Sequence, residues 1–363
     1  MEQIAQILTV GLNAARQQGF HLGLALFDFT SRFGVSSPLL PAKSSEERDT
    51  PDDALGSDED PTSQHFVSPD GRKIGFACFG AQSGPTIFYL HGFPGSRVSG
   101  RFFDEPAKKL GARIVAVERP GIGISSPQPG RKLLDHADDI RDLAEHLDIK
   151  SYGIIGLSGG GPYALACAYS LPEENLKSVS VVCGMGPIEM GTKGMSWSNW
   201  LMFNGLMYFP RLMRWFQNEV VKVLRRIPNE KIVDAATKKL SGESSRGWFR
   251  GNPTDNRILS NPELLTVMLD SYREHYRQGA DGFMEDGRVL TSDWGFRLED
   301  IRSSIPIQLW YSRHDTNVPI QMGEAIAASL GSRPDFRVVQ GETHLSLALK
   351  YTSDALERLL EKM

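Results

Sequence analysis

The chain has 363 residues, with 40 Lys plus Arg against 44 Asp plus Glu, a formal net charge of -4 and a pI near 6.1. That balance excludes a generally basic surface built to coat nucleic acid. Hydrophobic residues at 40% and charged residues at 23% are ordinary globular usage. A chain of this length buries enough surface to fold without disulfide staples, and the three cysteines, Cys78, Cys167 and Cys183, are scattered in apolar runs without metal-ligand spacing.

Residues 1–40 read as helical. Ile4, Ile7, Leu8, Leu12 and Ala15 recur on one helical face, and His21 to Phe29 adds a second apolar stretch. Two uses are open for it: docking on the body of the protein, or a peripheral membrane or dimer contact. Residues 41–64 carry eight acids and two bases, punctuated by Pro41, Pro51 and Pro61. Such a segment buries too little apolar surface to offset its ordering entropy and reads as a flexible acidic linker. No run of 18 apolar residues is present and no basic, apolar leader opens the chain, so the expected location is cytoplasmic.

From His65 onward, strand and helix signals alternate. Ser68-Pro69-Asp70-Gly71-Arg72 is a turn between two short strands. Thr86–Leu90 and Arg113–Val117 are continuous apolar runs of the kind buried on both faces. Ile140, Leu143, Ala144 and Leu147 mark an amphipathic helix in a charge-rich segment, where His136 and His146 are expected in solvent. Tyr152 to Ile155 is a strand, Pro162 to Ser170 a helix, and Val179 to Cys183 a strand; Ile307 to Tyr311 and Phe336 to Val339 complete the set. This alternation predicts a mostly parallel sheet with helices on both faces.

Between about 184 and 290 the rhythm breaks. Trp197, Trp200, Met202, Phe203, Met207, Tyr208, Phe209, Met213, Trp215 and Phe216 crowd a short interval. It reads as a helical cap inserted over one end of the sheet. Trp197, Trp200, Phe203 and Met207 are the expected pocket lining, because an apolar helical pair is expected to cover something rather than stay exposed. The basic stretch Lys222 to Arg226 reads as a solvated helix face.

Gly156-Leu157-Ser158-Gly159-Gly160 follows a predicted strand and opens a predicted helix. In that context Gly-x-Ser-x-Gly is a nucleophile elbow, which sets Ser158 on a tight turn above the strand ends. A serine hydroxyl needs a base, and a base needs an acid to fix its tautomer. His344 follows the last predicted strand. Asp315 follows the strand at 307 to 311. Ser158 as nucleophile, Asp315 as acid and His344 as base occur in the chain order nucleophile, acid, base, and Glu189, soon after the strand ending near Cys183, is the alternative acid. An oxyanion needs two N–H donors: Gly159, directly after the serine, and Phe93, in the loop after Thr86–Leu90, with His91 as an organiser of that loop. Neither Gly121-Ile122-Gly123 nor Gly159 to Gly161 continues into a nucleotide-binding pattern, and no residue cluster has metal spacing.

These segments resemble the α/β hydrolase superfamily, in particular a fungal and bacterial branch. The resemblance is carried by Asp70 to Gly75, His91-Gly92-Phe93-Pro94-Gly95-Ser96, Glu118-Arg119-Pro120-Gly121-Ile122-Gly123-Ile124-Ser125, Gly156 to Gly161, Asp293-Trp294-Gly295-Phe296, and the loops bearing Asp315 and His344. It covers residues 65 to 363 and leaves 1 to 64 outside. Relatives usually carry Asp where this chain has Glu118, which reads as a surface-loop difference. The resemblance implies an α/β-hydrolase fold with an eight-stranded sheet, cofactor-free acyl chemistry and a small ester-like substrate. A serine at the elbow argues against the aspartate-dependent epoxide hydrolases and haloalkane dehalogenases of this fold, and Leu157 stands where prolyl aminopeptidases usually show tryptophan. Carboxylester, thioester or lactone hydrolysis leads. Acyl transfer or cyclisation with the same triad, and a non-catalytic receptor on the same scaffold, stay open.

Overall fold

The computed structural model describes residues 62–241 and 253–363. The helical reading of 1–40 and most of the linker reading therefore lie outside the described residues.

The chain opens with β1 (Gln64–Val67) and β2 (Lys73–Gly80), an antiparallel hairpin closed by the expected turn, in which the Ser68 amide donates to Arg72 O. Then follow β3 (Thr86–Leu90), α1 (Asp104–Leu110), β4 (Arg113–Val117), α2 (Asp135–His146), β5 (Tyr152–Leu157), α3 (Gly161–Ser170) and β6 (Leu176–Val182). Six helices come next: α4 (Trp197–Tyr208), α5 (Pro210–Arg226), α6 (Asn229–Ser241), α7 (Pro253–Leu259), α8 (Pro262–His275) and α9 (Asp281–Thr291). The chain finishes with β7 (Ile307–Ser312), α10 (Ile320–Leu330), β8 (Asp335–Val339), α11 (His344–Lys350) and α12 (Thr352–Leu360).

The eight strands form one sheet in the order β1-β2-β4-β3-β5-β6-β7-β8. β1 and β2 pair antiparallel, and from β4 through β8 every pairing is parallel. This is the mostly parallel sheet with helices on both faces expected from the strand-helix alternation, with the eight strands that the α/β-hydrolase resemblance implies. Side chains alternate across the central strands, so Phe88 and Leu90 face one layer and Ile87 and Tyr89 the other. The first layer holds α2, α3 and the helices between β6 and β7; the second holds α1 and α12, with Ala107, Leu356 and Leu359. Both faces are covered, which is why β3 and β4 read as unbroken apolar runs.

For two polar residues the burial differs from the sequence expectation. His136 is buried, not solvated: it lies edge-on to Tyr163 with ring centroids 5.2 Å apart, and its Nδ1 is 3.3 Å from Asp139. The charge-rich appearance of α2 comes from its other face. Glu118 is likewise no surface residue. It is fully buried, accepts from the Arg97 guanidinium at 2.5 Å and from the Ile124 amide at 2.8 Å, and so ties the loop after β4 to the segment after β3.

Candidate active site

The elbow geometry follows from its glycines. Ser158 takes φ +53°, a left-handed conformation costly for a side-chain-bearing residue, and the compact turn around it must hold it there. A Cβ on Gly156 would meet Gly160 O at 2.5 Å and the Ala164 Cβ at 2.7 Å, and one on Gly160 would strike the Leu90 carbonyl. Strand β5, helix α3 and the end of β3 therefore close on one another only without those side chains. The result lifts Ser158 at the carboxyl ends of the parallel strands, where open α/β sheets bind ligands.

His344 begins α11. Thr343 caps that helix: its hydroxyl accepts from the Ser346 amide at 3.2 Å, and the Ser346 hydroxyl accepts from the Thr343 amide at 2.8 Å. Asp315 lies in the loop after β7, its Oδ1 held by the amides of Asn317 and Val318 at 2.8 and 2.9 Å. Its Oδ2 is 2.7 Å from His344 Nδ1, and His344 Nε2 is 2.9 Å from Ser158 Oγ. A carboxylate only accepts, so in the neutral ring Nδ1 carries the proton and Nε2 faces the serine as an acceptor. The structure thus brings together the three residues that the sequence separates by 186 positions at the widest. Burial opposes charge on His344, but the Asp315 carboxylate outweighs it and holds the imidazole well above its usual value near 6.5. Glu189, the alternative acid, is exposed on a short turn after β6.

Phe93 and Gly159 also meet. A Cβ on Gly159 would lie 3.0 Å from the Phe93 amide nitrogen, and one on Gly92 would lie 3.5 Å from the Ser158 Cβ. The loop carrying Phe93 is pinned from several sides. Arg119 donates to His91 O at 2.6 Å and Gly92 O at 2.9 Å. His275, at the end of α8, donates from Nδ1 to Gly95 O at 2.8 Å, and Ser271 accepts from the Ser96 amide at 3.1 Å. Burial, reinforced by Arg119, keeps His91 neutral, consistent with an organiser of the loop; burial likewise pushes His275 down to about 4.

Arg119 in turn is held by Asp286 on α9. That buried carboxylate accepts from Arg119 at 2.9 and 2.7 Å, from Arg131 at 2.7 Å and from Tyr163 at 2.6 Å. Burial disfavours its charge, but the two guanidiniums win and hold it far below the usual carboxylate range. Sequence reading missed this cluster. Its members are up to 167 positions apart, and no local pattern pairs them. It missed Cys183 too, whose sulfur lies 3.9 Å from His344 Nε2 in a residue of φ +41°. Donor atoms of Cys183, Asp315 and His344 fall within 4.8 Å of one another, a grouping that the sequence spacing concealed. The Asp315 and His344 atoms in it are already engaged with each other and with Ser158.

The expected pocket residues divide. Phe203 is buried, with its ring 6.5 Å from that of Phe93, which also packs at a tilt against Phe283 with centroids 4.6 Å apart. Trp197 is half-buried at the start of α4. Trp200 and Met207 are 45% and 38% exposed and stand on the outer flank of α4. The helical pair therefore buries one face and leaves much of its other apolar face in solvent, contrary to the expectation that it would be covered. Its inner face needs only residues at helical spacing, Phe203 and Leu206 on α4 and Val220, Val221 and Leu224 on α5, and Trp200, Tyr208, Phe209 and Trp215 fall on the other side.

The alpha/beta hydrolase fold family model matches residues 85–350. The chain belongs to that family. A dihydrolipoyllysine-residue acetyltransferase component of an acetoin cleaving system from Pseudomonas putida is 30% identical over 117 residues, which is 32% of this chain and 31% of that protein. The chain thus matches about a third of that relative's length. A 2-hydroxy-6-oxononadienedioate/2-hydroxy-6-oxononatrienedioate hydrolase from Cupriavidus pinatubonensis is 25% identical over 257 residues, 68% of this chain and 75% of that protein. Among solved structures, an esterase from Exiguobacterium antarcticum superposes with a TM-score of 0.55 at 14% identity, over 82% of this chain and 98% of that one. At that identity the likeness is one of fold. No helix among the described residues is long and apolar enough to cross a membrane.

Proposed function

We propose that this α/β hydrolase is a serine carboxylester hydrolase that works through an acyl-enzyme on Ser158. The observation that carries the proposal is the relay of Ser158 Oγ, His344 and Asp315 at 2.9 and 2.7 Å, with the serine on a left-handed turn. His344 Nε2 takes the hydroxyl proton as Ser158 Oγ adds to the ester carbonyl. Asp315 keeps the imidazole in the productive tautomer and stabilises its cation. The amides of Phe93 and Gly159 take the developing oxyanion, and Arg119 holds the Phe93 loop in register for it. His344 then returns its proton to the leaving alkoxide. Water repeats the cycle in reverse and frees the acid. In each half-reaction His344 takes up one proton and gives one away, so the cycle ends with a neutral imidazole and a free Ser158 hydroxyl.

Phe203 and Phe283 pack on Phe93, and that apolar surrounding of the proposed oxyanion residue favours an apolar acyl group. The test is steady-state turnover of p-nitrophenyl esters of graded acyl length, with a thioester and a lactone alongside and an alcohol added as competing acceptor. The proposal expects ester turnover that is lost in Ser158→Ala, with acid as the dominant product. Stoichiometric binding without turnover would identify a receptor, and predominant transfer to the alcohol a transferase.

A further inference from the structure

The outer side of the α4–α5 pair carries Trp200, Leu201, Tyr208, Phe209, Leu212 and Trp215, which are 45%, 42%, 65%, 64%, 57% and 59% exposed. Tyr208, Phe209 and Leu212 flank the turn at Tyr208-Phe209-Pro210, where one helix hands over to the next, with Trp215 one turn on and Trp200 and Leu201 about two turns back along α4. Exposed aromatics in such number are not needed for the fold, because the opposite face already anchors both helices. Patches of this kind mark interaction sites.

Along the two helices the charges are one-sided, although Lys222 pairs with Glu219 and Arg214 with Asp281 of α9. From Trp197 to Arg226 the chain has five bases, Arg211, Arg214, Lys222, Arg225 and Arg226, and one acid, Glu219, within a protein of net charge -4. Arg211, Trp215, Lys222 and Arg226 are spaced i, i+4, i+11 and i+15, so they share a face of α5, turned away from its buried Gln217, Val220, Val221 and Leu224. Aromatics cluster at one end of that face and bases run along it. Rings that sit among lipid headgroups, flanked by bases that meet phosphates, are the chemistry of interfacial helices. A second copy of the chain suits the patch less well, because a symmetric contact would set this basic stripe near itself.

We propose that the exposed α4–α5 face docks on an anionic lipid surface. Phe209 and Trp215 enter the headgroup layer, and Arg211, Lys222 and Arg226 lie over lipid phosphates. Phe203, on the inner side of α4, packs on the Phe93 loop, so docking sets the candidate site beside the lipid. The docking does not depend on the catalytic assignment, because Ser158 takes no part in it.

The test is co-sedimentation of the full chain with sucrose-loaded vesicles of phosphatidylcholine alone or mixed with phosphatidylserine, with Ser158→Ala measured in parallel. The proposal expects binding to the anionic vesicles that weakens with added salt and is unchanged in Ser158→Ala. Arg211→Gln with Arg226→Gln should weaken it about fivefold per charge removed. Phe209→Ser with Trp215→Ser should weaken it on the order of tenfold or more. All four positions are exposed, and an unchanged urea midpoint confirms the fold. Absence of binding, or binding that survives both pairs of substitutions, overturns the proposal; the second result would move the contact elsewhere in the chain. A concentration-dependent dimer in sedimentation velocity that Phe209→Ser disperses would assign the patch to a second copy and overturn it as well.

Discussion

Asp286→Asn is the most informative single perturbation outside the triad. The carboxylate is fully buried and is the shared acceptor of Arg119, Arg131 and Tyr163, at 2.6 to 2.9 Å. Asparagine keeps the shape but removes the charge, and its amide hydrogens then face guanidinium donors. Two buried cations lose their counter-ion. Breaking a buried pair in this way costs about 3–5 kcal/mol, against a total stability on the order of 5–15 kcal/mol. The variant should therefore unfold at clearly lower urea, with the m-value unchanged. The folded-state pKa of Asp286 is depressed, so its contribution is full above the unfolded carboxylate value and is lost as pH falls through the folded one. The gap between wild type and variant should accordingly narrow in acid. Catalysis should suffer separately. Arg119 clamps the His91 and Gly92 carbonyls, and loosening it should let the Phe93 amide drift from its proposed oxyanion position. Loss of one oxyanion donor costs about 10²–10³ in kcat, so a loosened donor should cost roughly tenfold or more, with KM less affected. Urea titration by fluorescence and ester kinetics in the folded baseline read both effects. A midpoint and a kcat both equal to wild type would refute the reasoning.

Ser158→Ala, His344→Ala and the double variant should each lose on the order of 10⁴–10⁶ in kcat without multiplying, because the residues act as a unit; losses that multiply would contradict a shared relay. Asp315→Asn should cost about 10⁴, whereas Glu189→Gln, exposed and distant in role, should turn over like wild type. The rate kcat/KM should rise with pH as His344 loses its proton, and Asp315 places that limb above the usual histidine value; in Asp315→Asn the limb should move down, and an unmoved limb would exclude His344 as the titrating base. Phe203→Ala should shift the ratio of kcat/KM for short and long acyl esters if Phe203 borders the acyl site, whereas lower stability at a constant ratio would leave it a packing residue.

The fold was legible because its central strands are buried on both faces. Thr86–Leu90 and Arg113–Val117 have no solvent side to interrupt their apolar runs, so strand and boundaries both read directly. Ser158 was legible because the close approach of β3, β5 and α3 admits only glycine at Gly156 and Gly160, which leaves a mark in sequence. His344 and Asp315 followed from their positions after strands. Contacts between distant segments left no such mark. The Arg119–Asp286 pair spans 167 positions and Cys183 meets His344 across 161. Glu118 looked like a loop residue because acidity is a poor guide to burial where Arg97 arrives from another element. The aromatics of α4 and α5 misled for the opposite reason: apolar character says what a side chain tolerates, and only the helix phase says which way it points.

The central claim is that Ser158 is the nucleophile and His344 its base. Fluorophosphonate labelling of the native chain, followed by peptide mass spectrometry, tests it most directly. One residue, Ser158, should be strongly labelled, with the adduct absent in Ser158→Ala and slowed by orders of magnitude in His344→Ala. Labelling centred on another serine, or a folded protein that takes no label, would contradict it.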